Sequence, residues 1–327
     1  MPDTTLAVRI REFGGPEVMQ LETVPLPEPG PGEVRVHHAA IGFNYIDVYQ
    51  RRGTYPLPLP TGLGHEAAGV VEATGPAVRD VRIGERVAYM NAGVGAYAER
   101  RNVAAERLVA IPPGVSDENA AALLFKGLTA QYLLKRTYAV QPGDLVLVHA
   151  AAGGVGQILC RWAKALGATV LGTAGSAAKC EAARVAGCEV AVDYSRDDWP
   201  DTLLAATGGR KARVVYDAVG QQTFLKSLDC AAPFGMVVLY GAASGPAPVI
   251  DPELLNKKGC LYLTRPSVFP HNAEAATLRA NAADLFAAVA ASMVKANIGA
   301  RYPLDAVVAA HTAVEARKIS GATVLRP

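Results

Sequence analysis

Leu145-Val146-Leu147-Val148-His149-Ala150, followed directly by Ala151-Ala152-Gly153-Gly154-Val155-Gly156, is the stretch that decides the fold. The first six residues form an almost wholly apolar run, the pattern of a strand buried on both faces. The next six fit the G-x-G-x-x-G template with alanine in the first position. Gly154 to Leu166 then places Val155, Ile158, Leu159, Trp162 and Leu166 on one helical stripe. Strand, glycine turn and amphipathic helix are the context in which such a loop binds a dinucleotide. Gly153 lets the backbone approach a pyrophosphate, and Gly156 lets the helix pack against the strand. The helix N-terminus then offers free N–H groups and a positive dipole to the phosphates.

Downstream, strands and helices alternate. Strands are predicted at Thr169–Thr173, Glu189–Val192, Arg213–Ala218, Met236–Tyr240 and Cys260–Thr264, with helices between most of them. Ser176 caps a helix that stops at Gly187. Six strands with helical crossovers define an α/β class and a doubly wound parallel sheet of the Rossmann type.

Upstream, the chain changes character. Pro25, Pro27, Pro29 and Pro31 alternate with other residues before a strand at Glu33–Ala40, and further strands are expected at Gly69–Ala73 and Arg86–Met90. Turn residues separate them, as in an irregular β domain. A helix start falls at Asp117, with Ser116 or Asp117 as cap, and a second helix is read from Gly127 to Ala139. Near the end, Asn272–Ala296 reads as one long alanine-rich helix, and Thr323-Val324-Leu325 as a strand packing back on the first domain.

The second strand of the nucleotide fold runs into Gly172-Thr173-Ala174-Gly175-Ser176. An NAD site usually carries an acid there, to hold the ribose diol. This chain has none. It offers the Ser176 hydroxyl and the Lys179 ammonium, and Lys179 lies in the first turn of its helix, where the dipole disfavours a cation. A bound 2′-phosphate removes that conflict. Tyr194, after the third strand, adds a donor. The cofactor expected is NADPH.

Composition bounds the rest. The chain has 327 residues, half of them apolar and 19% charged, with net charge +2. That is the balance of a soluble globular protein with room for two domains. It gives no reason to expect nucleic acid or an anionic membrane as partner. No run reaches 18 apolar residues and the first twenty carry Arg9, Arg11 and Glu12, so neither a spanning helix nor a signal peptide is read, and a cytoplasmic protein is expected. The five cysteines include no C-x-x-C pair. Buried, reduced thiols are expected, without disulfides or a zinc knot.

Motifs along the chain resemble the zinc-independent quinone oxidoreductases of the medium-chain dehydrogenase/reductase superfamily. They are Gly14-Gly15-Pro16-Glu17-Val18, Ile41-Gly42-Phe43-Asn44-Tyr45-Ile46-Asp47, Gly62-Leu63-Gly64-His65-Glu66-Ala67-Ala68-Gly69 and Lys126-Gly127-Leu128-Thr129-Ala130. With the glycine loop they continue through Tyr216-Asp217-Ala218-Val219-Gly220 and Thr264-Arg265-Pro266-Ser267. The resemblance implies a chaperonin-10-like (GroES-like) β-barrel catalytic domain at 1–125, a Rossmann NADPH domain at 126–265, and a segment at 266–327 returning to the catalytic domain. It also implies an active site in the cleft between the domains, and a homodimer.

By position, the resemblance places Asn44, Asp47 and Tyr49 near the nicotinamide, with Thr129 also on the cofactor. Gly153, Gly154 and Val155 fall at the pyrophosphate, and Gly175, Ser176, Lys179 and Tyr194 at the adenosine phosphate. Tyr240, Gly241, Ala242, Thr264, Arg265 and Pro266 border the nicotinamide, and Arg317 is a further cofactor contact. Metal-dependent relatives need a cysteine–histidine–cysteine set. Here Asn44 and Phe125 stand at the outer positions and only His65 remains, followed by Glu66, so no metal is expected. A quinone already accepts electrons strongly and needs aligned approach to the nicotinamide more than polarisation. Asn44, Tyr49 and Tyr55 are candidates to orient its oxygens, and Lys126 to stabilise developing negative charge. Two alternatives stand beside quinone reduction. One is NADPH-dependent enone or alkenal reduction; the other is a protein that binds NADPH without turnover.

Overall fold

The computed structural model describes residues 3–327, and the chain divides into two compact units. One comprises Thr129–Val268 with Ala287–Lys295. Its six strands are all parallel, in the order Val190–Asp193, Thr169–Ala174, Leu145–Val148, Ala212–Asp217, Ala231–Leu239, Tyr262–Thr264. In chain order that is 3-2-1-4-5-6, with the order reversing beside Leu145–Val148, the place where such sheets bind dinucleotides. Leu147, Leu171 and Val215 on the strands, with Trp199, Phe224 and Leu228 from helices, make one core. The first strand is shorter than its apolar run. Pairing stops at Val148, and Ala150 turns the chain with a φ of 51°.

The other unit comprises Met1–Leu128, Phe269–Phe286 and Ala296–Pro327. Its larger sheet runs Ile298–Pro303, Ala322–Arg326, Glu33–Gly42, Glu66–Thr74, Arg86–Met90, Leu108–Ala110, with Arg100–Ala104 also on Glu33–Gly42. The terminal strand pairs through Val324 with Gly42 and through Leu325 with Ile41. A smaller sheet joins Gln20–Pro25, Thr4–Ile10 and Thr61–Gly62. The strand Thr4–Ile10 escapes a reading that looks for continuous apolar runs. It is half-buried, with Val8 and Ile10 in the core and Leu6 partly exposed.

Two helices differ from expectation. Asp117–Tyr132 is one helix, passing through Gly127 and ending in a π-helical stretch at Leu133–Thr137. Gly127 is there for close approach, since a Cβ would lie 2.5 Å from Leu285 methyls. The alanine-rich segment gives a short helix at Val268–His271 and a longer one at Ala275–Ala290 that stops well before Ala296. Ser292, at a φ of 59°, cannot continue it. All five cysteines are free. Four are buried, whereas Cys260 is exposed at the turn leading into the sheet's last strand.

Candidate active site and nucleotide-binding loop

In the parallel-sheet unit the site is built mainly from backbone. Gly153 caps the helix Gly154–Ala165 in an extended conformation and has no side chain to satisfy the first turn. The N–H groups that open this helix therefore lack intrahelical acceptors and suit phosphate oxygens. Gly156 makes the cradle possible. A Cβ there would stand 2.2 Å from the Ala150 carbonyl oxygen. Beneath the loop lies a buried polar cluster. His149 contacts the Thr173 hydroxyl at 2.7 Å and the Ser227 hydroxyl at 2.9 Å. Ser227 donates to Asp217, which also accepts from the Thr223 hydroxyl and from the Val219 and Gly220 N–H groups. This cluster ties the ends of three strands together.

At the end of the second strand, the Ser176 hydroxyl accepts from the Lys179 N–H at 3.4 Å, capping the helix Ala177–Val185. A Cβ on Gly175 would lie 3.2 Å from the Tyr194 hydroxyl. Gly175, Ser176, Lys179 and Tyr194 thus gather at one place. Tyr240 and Gly241 follow the fifth strand and both donate N–H to the Asp217 carbonyl. Arg265 donates to the Leu239 carbonyl and is exposed. Thr129 is buried. Arg317 lies in the other unit, exposed, at a φ of 57°. The glycine cradle, the open helix start and the cation after the second strand fit a dinucleotide carrying an extra phosphate.

In the β unit the site is built from side chains. Asn44 precedes the helix Tyr45–Arg51, whose first turn is closed by Asp47 accepting from the Asn44 N–H at 2.9 Å. The Asn44 amide donates to Glu66 Oε2 at 2.8 Å and to the Gly42 carbonyl at 3.4 Å, and its oxygen accepts from Lys126 Nζ at 3.0 Å. Both N–H bonds of Asn44 are thereby committed within the protein. Lys126 also reaches Glu66 Oε2 at 3.3 Å, and Glu66 Oε1 accepts from the Phe125 N–H at 2.5 Å. Glu66 is completely buried. Burial pushes its carboxyl above the usual range, while Lys126 and the N–H donors work in the opposite direction. An ammonium has three N–H bonds, and Lys126 has two acceptors.

Asp47 has no exposed surface, and its contact with this cluster is the Asn44 N–H. The Tyr97 hydroxyl donates to Asp47 Oδ2 at 2.8 Å and lies 3.3 Å from His311 Nε2. His311 Nδ1 lies 3.2 Å from Arg51 Nη1, and Arg51 pairs with Glu315. Burial holds His311 well below its usual range, and therefore neutral. Arginine only donates, which makes Nδ1 the acceptor and Nε2 the donor. The bonds from Arg51 through His311 and Tyr97 then point toward Asp47. Burial nevertheless raises that carboxyl to about 7.

Tyr45, Tyr49 and Tyr55 stack edge to face at 5.1 and 5.3 Å, with Tyr55 exposed. His65 is buried, with Nε2 at 2.9 Å from the Gln50 side-chain oxygen and its ring packed on Phe269. Burial lowers it to about 4. The residues here do not fit a catalytic metal. The Asn44 oxygen is taken by Lys126, Phe125 has no ligand atom in its side chain, and Gln50 occupies one His65 nitrogen. No group of three histidine, cysteine or acidic side chains suited to a metal occurs among the described residues.

The sequence reading missed Glu66 as a partner of Lys126, and missed the chain Tyr97–His311–Arg51–Glu315. A signal for the first pair was present. Glu66 opens an otherwise mostly apolar strand, and Lys126 is a single cation in the apolar middle of a helix. Two isolated opposite charges in apolar elements have a strong physical reason to meet.

Residues 30–113 match the alcohol dehydrogenase GroES-like domain, and residues 154–280 match the zinc-binding dehydrogenase family. A quinone oxidoreductase of Pseudomonas aeruginosa is 45% identical, over 98% of this chain and 99% of its own. A Burkholderia 2-haloacrylate reductase is 42% identical over 98% and 99%. The crystal structure of Escherichia coli quinone oxidoreductase complexed with NADPH is 41% identical, with a TM-score of 0.96 over 98% of this chain and all of that one. The fold and these relatives define a medium-chain dehydrogenase/reductase. Within that superfamily, the chain belongs to the quinone oxidoreductase family.

Proposed function

We propose that this protein is an enzyme that reduces quinones with NADPH, without a metal. The observation that carries the reading is Lys126. It is a buried ammonium, fixed by two acceptors, with a third N–H for an acceptor oxygen, at a site whose side chains cannot ligate a metal. Bound NADPH would supply a hydride, one proton with two electrons, and leave as NADP+. The Gly153–Gly156 loop and the start of its helix hold the pyrophosphate, while Ser176, Lys179 and Tyr194 hold the 2′-phosphate. Lys126 stabilises the oxyanion left on the quinone, which then takes a proton from water. Tyr49 and Tyr55 present hydroxyls beside the ring. Asn44 and Asp47 position rather than react.

The same ammonium would stabilise an enolate, so an enone or alkenal is the competing acceptor. The test is NADPH oxidation with 1,4-benzoquinone, 9,10-phenanthrenequinone and a 2-alkenal, with and without chelator. Quinone turnover faster than alkenal turnover, and indifferent to chelator, is expected. Alkenal turnover without quinone turnover would replace this reading with the enone reductase, and loss of activity on chelation would defeat the metal-free mechanism.

We further propose a cytoplasmic homodimer. Tyr262–Thr264 ends the six-stranded sheet, and Tyr262, Leu263 and Phe234 are exposed. An open apolar edge of this kind favours pairing with a second copy. No described helix is long and apolar enough to cross a membrane. Sedimentation equilibrium reads the mass directly.

A further inference from the structure

We infer that Glu66 is a positioning residue for the reduction: it fixes the Lys126 ammonium so that its remaining N–H meets the oxyanion forming on the acceptor. This rests on the proposed reductase reading and adds a residue to it.

Three observations support the assignment. First, Glu66 grips its partner twice. Oε2 holds the Lys126 ammonium, and Oε1 holds the backbone N–H of the preceding residue, Phe125. The strand Glu66–Thr74 thus sets both the side chain and the local backbone of the helix that carries it. Second, Glu66 saturates Asn44. With one amide N–H on Glu66, the other on Gly42 and the oxygen on Lys126, the amide is a spacer between the two charges. Third, the neighbouring strand makes room for the carboxylate. A Cβ on Gly42 would lie 2.3 Å from Glu66 Oε2 and 2.1 Å from the Ala121 carbonyl.

Packing alone does not account for this. Taking a carboxylate and an ammonium out of water is costly, and apolar side chains of the same volume often serve stability as well or better. A fixed charge aimed where negative charge develops has a use that an apolar pair lacks.

The test uses Glu66→Gln, Lys126→Met and the double variant. The probe is 4-nitrophenol, which is coloured as the phenolate and mimics the oxyanion of a reduced quinone. It is titrated onto each protein in the presence of NADP+, and steady-state NADPH–quinone kinetics are measured in parallel. The wild type should bind the probe as phenolate, whereas Glu66→Gln and Lys126→Met should both lose that preference. Each single variant should lower kcat about ten- to a hundredfold, with KM for NADPH unchanged. The double variant should be no worse than Lys126→Met, because Glu66 acts through Lys126. It also removes both buried charges together, so it stays informative if Glu66→Gln alone does not fold.

Wild-type phenolate binding that ignores Glu66, or losses that multiply in the double variant, would overturn the inference. So would a Glu66→Gln protein with altered KM and unaltered kcat. A wild type that binds phenolate through Lys126 and Glu66 but turns over no quinone would uphold this inference while defeating the acceptor reading.

Discussion

The two units build their polar sites in opposite ways. The parallel-sheet unit uses backbone: an extended glycine cap, an open helix start, and a glycine whose missing Cβ leaves room for the Ala150 carbonyl. The β unit uses charged side chains, Glu66, Lys126 and Asp47, buried and held by one another or by neighbouring dipoles. The first design fails when atoms are added, because the backbone has nowhere to move. The second fails when charge is removed or unbalanced. Gly156→Val tests the first most severely. Its Cβ would meet a backbone oxygen rather than a flexible side chain, so loop or helix must shift. A loss on the order of 5 kcal/mol is expected, with NADPH binding abolished. Thermal denaturation and cofactor titration measure it. A variant that folds and binds normally would show that the cradle has slack.

The same contrast explains what could be read from sequence. A backbone site leaves its signature in consecutive residues, since glycines, strand and helix must follow one another along the chain. The glycine loop with its strand and helix, the parallel sheet and the Ser176 helix cap were therefore legible. A side-chain site is assembled from distant positions. Asn44, Glu66 and Lys126 come from three elements, and His311 reaches Tyr97 across 214 residues. Lys126 was identified as a charge, but its acceptors were not, and Asn44 was read as a donor to substrate because its contact with Glu66, 22 residues away, lies outside any local pattern. Gly127 misled for a related reason. It was taken as a helix boundary, whereas it serves a contact with Leu285, which no local pattern encodes.

The next test sharpens the comparison through pH. Asp47 in the folded protein titrates near 7, raised by burial, against the ordinary aspartate value near 3.8. Between those values the folded state holds a proton that the unfolded state has released. Asp47 therefore favours folding at low pH, and that contribution is lost as pH rises through 7. The groups facing it are Tyr97, Lys126, Glu66 and the Asn44 N–H. His38, His65 and His311 act in the other direction. All three are pushed below their usual value by burial, so their contribution is lost as pH falls below 6.5. Asp47→Asn keeps an oxygen for Tyr97 and Asn44 while removing the titration, and the histidine effect cancels in the difference. Relative to wild type, this variant should gain about 2–3 kcal/mol between pH 5 and pH 8. Chemical denaturation at the two pH values measures it. A difference that does not change with pH would mean that Asp47 is ionised throughout.

The smallest effect tests a side-chain charge in the backbone-built unit. Lys179 is the third residue of the helix Ala177–Val185, behind the Ser176 cap and partly exposed. Without a ligand it sits at the positive end of the helix dipole, an unfavourable place worth about 0.3–1 kcal/mol. With a 2′-phosphate it makes a charged hydrogen bond worth about 1.5–3 kcal/mol. Lys179→Ala should therefore separate the two cofactors. NADPH affinity should fall about ten- to a hundredfold, while NADH affinity barely changes. Increasing salt should narrow the gap between wild type and variant for NADPH, since the site is open enough to be screened. Equal losses for both cofactors would place Lys179 on the shared part of the dinucleotide.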